Sequence, residues 1–134
     1  RIILSHRDII VDRKYYRFSE IPSIVASAGG IGTYFSEVEG YGNNLLEMVR
    51  AALPAVINRY PIYQSDIEPL GFSFPSITNG QLTKKVVDQA YALLTDYRAR
   101  NECVKHNLSV LSKKLPHSVI TKTITPLLQR IFRS

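Results

Sequence analysis

The strongest constraint on the fold is a pattern of apolar residues at helical spacing between residues 81 and 115. Because an α-helix has about 3.6 residues per turn, such spacing puts the apolar side chains on one face. Thr78 and Gln81 stand three residues apart just ahead of the pattern, which is the spacing of a capping box. The sequence therefore predicts a long amphipathic helix over residues 81–115. Its apolar positions are Leu82, Val86, Ala90, Leu93, Tyr97, Val104, Leu108, Leu111 and Leu115.

One interval in this pattern is seven residues long, and it leaves a choice between one helix and two. Asn101 occupies the position where the apolar stripe would continue. A polar residue on such a seam can specify register in a helix assembly. The alternative is a break near residues 98–102, which would give an antiparallel helix pair. We expect the continuous helix, with the broken one as the alternative.

The remaining segments predict shorter helices and a few strands. Residues 2–4 and 9–11 are β-type runs on either side of a polar turn, which predicts a small N-terminal hairpin. The β-branched run 119–125 is available to pair with that hairpin. Asn44 and Glu47 have capping-box spacing ahead of an apolar run, so a helix is expected there. The expected fold class is mainly α, with α+β as the alternative.

Length and composition predict one packed domain over residues 1–134. The chain is 45% hydrophobic and 21% charged, far from a disordered composition. Cys103 is its only cysteine, so no intramolecular disulfide can form. No stretch resembles a secretory signal, and no apolar run reaches the roughly 20 residues that span a bilayer. We therefore expect no transmembrane span, and a reducing location, either intracellular (cytoplasmic) or within a virion.

The segment 58–79 is rich in proline and aromatic residues without helical spacing, which predicts a long connector. A structureless connector of this length is uncommon in a compact domain and is usually functional. Two interpretations stay open: the connector packs on its own domain, or it is an interaction arm that reaches a partner. The candidate arm residues are the aromatics Tyr60, Tyr63, Phe72 and Phe74.

Charge is distributed unevenly along the chain. The basic C-terminal segment 103–134 has six bases and no acid, whereas residues 19–49 have four acids and no base. A basic block can attract nucleic acid or another polyanion. The alternatives are a solvated helix face and charge pairing between subunits. The candidate polyanion contacts are Arg98, Lys105, Lys113, Lys114, Lys122, Arg130 and Arg133.

No motif in the sequence supports catalysis or metal binding. The glycines within residues 29–32 match no phosphate-binding pattern. Cys103 and His106 are three residues apart on the predicted helix, but zinc needs three or four ligands and there is no second pair. We therefore expect no catalytic residue, no metal and no cofactor.

These observations favour a non-enzymatic structural or assembly subunit of a larger complex, such as a virus particle or a nucleoprotein. Its partners would be copies of itself or other subunits. The alternative is a small nucleic-acid-binding module without sequence preference that uses the basic face. A third possibility, an enzyme with an unrecognised site, rests on Cys103, His106 and His117.

Overall fold

The computed structural model describes residues 2–4, 8–11 and 14–115, with side chains from residue 14 onward. Helices predominate in this part of the chain and accompany a small parallel sheet, in agreement with the expected mainly α or α+β class. None of the helices described is both long and apolar enough to cross a membrane.

Three short strands form an antiparallel sheet near the N-terminus. They are β1 (Ile2–Leu4), β2 (Asp8–Val11) and β3 (Lys14–Arg17), in the order β1-β2-β3. The register places residue 3 opposite residue 10 and residue 9 opposite residue 16. Residues 119–125, predicted as a further strand, lie outside the described part of the chain.

The second sheet is parallel and lies at the centre of the fold. Its strands are β4 (Gly32–Tyr34), β5 (Ala55–Asn58) and β6 (Ser76–Ile77), in the order β4-β5-β6. Parallel neighbours need a crossover connection, and helix α2 (Asn43–Arg50) supplies it between β4 and β5. Helix α1 (Ile21–Ser27) precedes β4. All three strands therefore present their carboxyl ends at the same edge.

The C-terminal part of the fold is a pair of helices, α3 (Lys84–Thr95) and α4 (Tyr97–Lys114). The prediction of one continuous helix over residues 81–115 is therefore wrong. Asp96 separates the two helices with an extended backbone (φ −106°, ψ 109°). The alternative of two helices is therefore closer to the structure, although the break lies at Asp96, just before residues 98–102. Helix α4 continues through Asn101 without a break.

The side chains of Asp96 and Arg100 explain the position of the break. The Asp96 carboxylate accepts hydrogen bonds from the backbone N–H groups of residues 98 and 99, at 2.8 and 3.3 Å, and so caps α4. Arg100, one turn later, donates to four backbone carbonyls at 2.9 to 3.2 Å. The chain therefore turns at Asp96, where one side chain caps the start of α4 and the other holds α4 to the loop after α1 and to the end of α3. The four carbonyls belong to Ala26, Gly29, Gly30 and Leu93.

The core surrounds strand β5, which is covered on both faces. Ala55, Val56 and Ile57 are all buried, as is usual for the central strand of a parallel sheet. Helix α2 buries Leu45 and Val49, which lie one turn apart on one face. This face packs in the same cluster as Leu111 of α4.

The segment 58–79 is not a structureless connector. It contains a π-helical turn over Tyr63–Ile67, a 3₁₀ turn over Glu68–Leu70 and strand β6. Its attachment to α4 depends on Asn107, which is 3% exposed. The Asn107 side chain accepts from the N–H of Ser73 at 2.8 Å and donates to its carbonyl at 2.9 Å.

The candidate arm aromatics lie mainly in the core. Tyr60 and Tyr63 are each 1% exposed and Phe72 is 6% exposed, whereas Phe74 is half-buried. Together with Tyr34 they form a row in which neighbouring ring centroids are 5.8 to 6.4 Å apart. The segment thus packs on its own domain, which was one of the two open interpretations.

Candidate functional site

The carboxyl ends of the parallel strands define the candidate site. In open sheets with parallel strands, ligands bind in the crevice outside these ends. Here the edge consists of the loop after β4, the residues after β5 and the turn after β6. Two features stand out along it: the α2 turn, which we define as residues 39–44, and the sheet-edge pocket described below.

The α2 turn is built around a glycine that no other residue can replace. Gly42 precedes the first residue of α2 and has φ +77°, in the left-handed region that favours glycine. A Cβ at this position would also overlap the hydroxyl of Tyr60. Among the described residues, no side chain caps the first turn of α2, and the predicted Asn44–Glu47 capping box is not formed. The N–H groups of Leu45 and Leu46 donate to the carbonyl of Gly42 at 2.9 and 3.2 Å. Among the described residues, the N–H groups of Asn43 and Asn44 therefore remain available at the start of the helix.

Two buried tyrosine hydroxyls lie beside this turn. Within the described part of the chain, the hydroxyls of Tyr34 and Tyr60 are buried and have no hydrogen-bond partner. A buried hydroxyl without a partner is rare in native proteins and calls for an explanation, such as a ligand. The whole side chains are well buried too, at 7% and 1% exposed.

Burial and the Glu39 carboxylate both raise the pKa of the two tyrosine hydroxyls beside the α2 turn. Burial, and after it the negative charge of Glu39, raises the pKa of Tyr60 to about 12. Burial, then the charges of Glu39 and Tyr60, and last a hydrogen-bonding interaction with the Glu39 side chain raise the pKa of Tyr34 well above its usual range. Both phenols therefore stay protonated at neutral pH and can act as hydrogen-bond donors.

Glu47, on α2, stands eight residues after Glu39 and lines a shallow cavity of about 290 Å³ on another side of the helix. Ser19, Ser23 and Arg50 also line that cavity.

The sheet-edge pocket is a cavity of about 360 Å³ beside the ends of β5 and β6. This volume lies in the usual range of small-molecule sites, roughly 300–1,000 Å³. Tyr60 belongs to both features, because it lines the pocket while its hydroxyl lies against Gly42. The polar side chains of the pocket are Glu37, Asn58, Arg59, Gln64 and Asn79.

The predicted polyanion contacts lie away from this edge. Arg98, Lys105, Lys113 and Lys114 are exposed along α4. Lys122, Arg130 and Arg133 lie outside the described residues. The structure brings none of the four described bases into the sheet-edge pocket.

The cysteine and histidine of α4 have structural partners. Burial raises the pKa of the Cys103 thiol, which makes the reactive thiolate scarcer. His106 Nε2 lies 2.7 Å from the carbonyl oxygen of Gly71. His117 is outside the described residues. Within the described residues, no group of three His, Cys, Asp or Glu side chains is placed to hold a metal ion.

Sequence reasoning missed the α2 turn because it considered only the glycines within residues 29–32 as a possible phosphate site. A more informative signal was the order of elements: a short apolar run, a glycine-containing loop, a helix and a second apolar run that ends in Asn58. That order predicts a strand-helix-strand unit with its loop at the ligand-binding edge.

No family model matches this chain, and no solved structure matches it. The chain is, however, similar to curated proteins named mannosylglucosylglycerate synthase. It is 35% identical over 96 residues to the one from Thermotoga maritima, which covers 63% of this chain and 22% of that relative. It is 47% identical over 45 residues to the one from Petrotoga mobilis, which covers 34% of this chain and 10% of that relative. The chain therefore spans less than a quarter of the length of either relative.

This likeness corrects the function expected from the sequence. The relatives are synthases, so the prediction of a non-enzymatic assembly subunit or virion component is wrong. The same likeness contradicts the alternative of a nucleic-acid-binding module. The sequence pointed away from an enzyme because it contains none of the familiar catalytic motifs.

Proposed function

We propose that this chain serves in a glycosyltransferase, and that its α2 turn holds the anionic leaving group of an activated sugar. The observation that carries the proposal is the likeness to two mannosylglucosylglycerate synthases, at 35% identity over 96 residues and 47% over 45. Their name describes a product in which sugars are joined to glycerate. Formation of a glycosidic bond is therefore the reaction class that we propose here.

The chemistry of this reaction calls for a site that stabilises negative charge. The bond between the anomeric carbon and the leaving-group oxygen breaks, and a bond from that carbon to the acceptor hydroxyl oxygen forms. The hydroxyl proton passes to a base, and the electron pair of the broken bond stays on the leaving group. Hydrogen-bond donors placed at the leaving group therefore lower the barrier.

The α2 turn offers such donors. The N-terminus of a helix carries a partial positive charge and free N–H groups, which together favour a phosphate. Gly42 lets the turn pack directly against the Tyr60 hydroxyl, since it has no side chain. The Tyr60 hydroxyl is buried without a partner among the described residues and lies against Gly42. The Tyr34 hydroxyl lies near the Glu39 carboxylate. The Glu39 carboxylate would repel a phosphate at close range but accepts hydrogen bonds from sugar hydroxyls.

The experiment is a transfer assay. The protein is incubated with nucleoside-diphosphate sugars and glucosylglycerate, and the glycoside product is measured by mass spectrometry. We expect a product that carries one additional sugar. The variant Asn43→Asp places a carboxylate at the helix N-terminus, which stabilises the helix by roughly 0.3–1 kcal/mol but competes with the leaving group.

We therefore expect Asn43→Asp to lower the transfer rate at least tenfold while the protein stays folded. Gln89→Glu makes the same change of charge on exposed α3 and serves as the matched control. Absence of any glycoside product from the wild-type protein, or equal loss in the two variants, would contradict the proposal.

A further inference from the structure

The sheet-edge pocket is a second polar site beside the α2 turn, and it differs from the turn in charge. Glu37 is an acid, and the positive charge of Arg59 is already paired with Glu68 through two hydrogen bonds, at 3.0 and 2.6 Å. The pocket therefore offers no excess positive charge to a phosphate. Its remaining polar groups are the side-chain amides of Asn58, Gln64 and Asn79.

Two polar side chains of the pocket, Asn58 and Gln64, are each held by one partner and keep capacity for another. Asn58 donates from Nδ2 to the carbonyl of Ser36 at 3.1 Å. Gln64 donates from Nε2 to the carbonyl of Arg59 at 2.7 Å. Among the described residues, nothing donates to Asn58 Oδ1 or Gln64 Oε1. The pocket is thus a preorganised set of hydrogen-bonding atoms, as a ligand site requires.

The backbone around the pocket is irregular in two places. Asn79 has φ +53°, one of two non-glycine residues with positive φ in the described part of the chain, the other being Ala52. Gln64 lies in the π-helical turn. Asn79 and Gly80 form a tight turn that the N–H of Gln81 closes by donating to the carbonyl of Thr78 at 3.0 Å, a conformation that an Asn-Gly pair adopts readily. A π-helical turn, by contrast, is rare and is frequently found at functional sites. Here they present the amides of Asn79 and Gln64 to the same cavity.

We propose that the sheet-edge pocket binds the hydroxyl groups of a neutral sugar ring, the sugar that receives the transferred group. Amide and carboxylate side chains are the planar groups that can bind neighbouring hydroxyls in pairs, and the pocket combines three amides with Glu37. Tyr60 lies between this sugar and the α2 turn, so the two reacting molecules would meet at the same edge. This inference rests on the proposed function, since it assigns the acceptor to that reaction.

The test is a titration followed by amide NMR, with methyl α-D-glucopyranoside as the sugar probe and pyrophosphate as the anion probe. We expect the sugar to shift the side-chain amides of Asn58, Gln64 and Asn79. We expect pyrophosphate to shift the backbone amides of residues 43–46 instead.

A pair of matched variants isolates the pocket. Asn79→Gly removes one amide and keeps the left-handed backbone that glycine readily adopts. Ala52→Gly makes the same backbone change away from the pocket. We expect affinity for the sugar to fall at least fivefold in Asn79→Gly and to stay within twofold in Ala52→Gly.

The outcomes separate the inference from the proposed function. Sugar shifts that are absent, that lie elsewhere, or that weaken equally in both variants overturn the inference. Pyrophosphate shifts at residues 43–46 without sugar shifts would overturn the inference and leave the proposed anion site intact. Sugar shifts in the pocket without pyrophosphate shifts would support the sugar pocket and refute the anion site.

Discussion

Replacing Tyr60 with phenylalanine separates stability from ligand binding at the α2 turn. The ring stays in the aromatic row, 1% exposed, and only the hydroxyl is lost. Within the described residues that hydroxyl is buried without a partner. Its removal therefore relieves a desolvation penalty of about 1–3 kcal/mol. The small void left behind, roughly 15 Å³, destabilises by about 0.4 kcal/mol at ~24 cal/mol per Å³.

The net expectation is a gain of about 0.5–2.5 kcal/mol in the free energy of unfolding, which corresponds to a rise of roughly 2–10 °C in Tm for a domain of this size. Urea and thermal unfolding measure it. The same substitution removes a donor from the proposed leaving-group site. A hydrogen bond to a charged group is worth about 1.5–3 kcal/mol, so affinity for pyrophosphate should fall roughly 10- to 100-fold.

Tyr63→Phe is the matched control, because Tyr63 is equally buried but is not one of the two unpartnered hydroxyls of the described residues. We expect that variant to be no more stable than the wild type and to bind pyrophosphate normally. Destabilisation of Tyr60→Phe by more than 1 kcal/mol would refute the reasoning, since it would mean that the hydroxyl has a partner in the free protein.

Three further predictions concern the fold. Burial raises the pKa of both Tyr60 and Tyr63 to about 12, whereas phenols in the unfolded chain ionise near about 10. The Tm should therefore not depend on these groups below pH ~10 and should fall between pH ~10 and ~12, because only the unfolded chain loses the protons there. A Tm that stays constant between pH ~10 and ~12 would contradict this. Asp96→Ala removes the cap of α4 and should lower the free energy of unfolding by about 1 kcal/mol. The control Asp88→Ala breaks only an exposed ion pair with Lys84 and should lower it by at most about 0.5 kcal/mol. Equal losses for the two variants in urea unfolding would argue against the cap. Asn107→Ala removes the acceptor of the Ser73 N–H and the amide donor to the Ser73 carbonyl, which keeps only the weak donor Cys103 Sγ at 3.8 Å. The variant should lose about 1–3 kcal/mol in urea unfolding; a loss under about 0.5 kcal/mol would show that the Asn107 side chain does not hold residue 73.

Local patterns predicted part of the fold. The apolar residues of α2 were visible in the sequence, and Leu45, Leu46 and Val49 are buried as such a pattern implies. The helical content of residues 84–114 was visible for the same reason. The position of the break was not, because it depends on carbonyls of residues 26–30 that Arg100 reaches from 70 or more positions along the chain.

The parallel sheet was hidden from sequence reasoning because its strands are short and its partners are distant. Strand β6 has only two residues and lies near the end of the segment 58–79, so it pairs with β5 across an intervening stretch that is rich in aromatics. Prolines and aromatics without helical spacing suggested an arm there, whereas burial of Tyr60 and Tyr63 makes the segment part of the core. The apolar pattern singles out Asn101 as the polar residue on the buried face of α4. In the structure, the buried polar residue of α4 is Asn107.

The candidate site was harder to predict from the sequence than the fold. Its marks are a left-handed glycine and two hydroxyls without partners, and neither can be recognised before the strands are placed side by side. The basic residues attracted attention because charge is visible in a sequence. The described bases of that group lie on the exposed surface of α4, away from the edge where the strands end.

Binding of pyrophosphate to the α2 turn tests the central claim most directly. Amide NMR on the wild-type protein and on Asn43→Asp, with Gln89→Glu as control, measures where the anion binds and how tightly. We predict saturable shifts of the backbone amides at residues 43–46 in the wild type and in Gln89→Glu, and at least a tenfold loss of affinity in Asn43→Asp. Shifts confined to the exposed bases of α4, or shifts at residues 43–46 that survive unchanged in Asn43→Asp, would contradict the account.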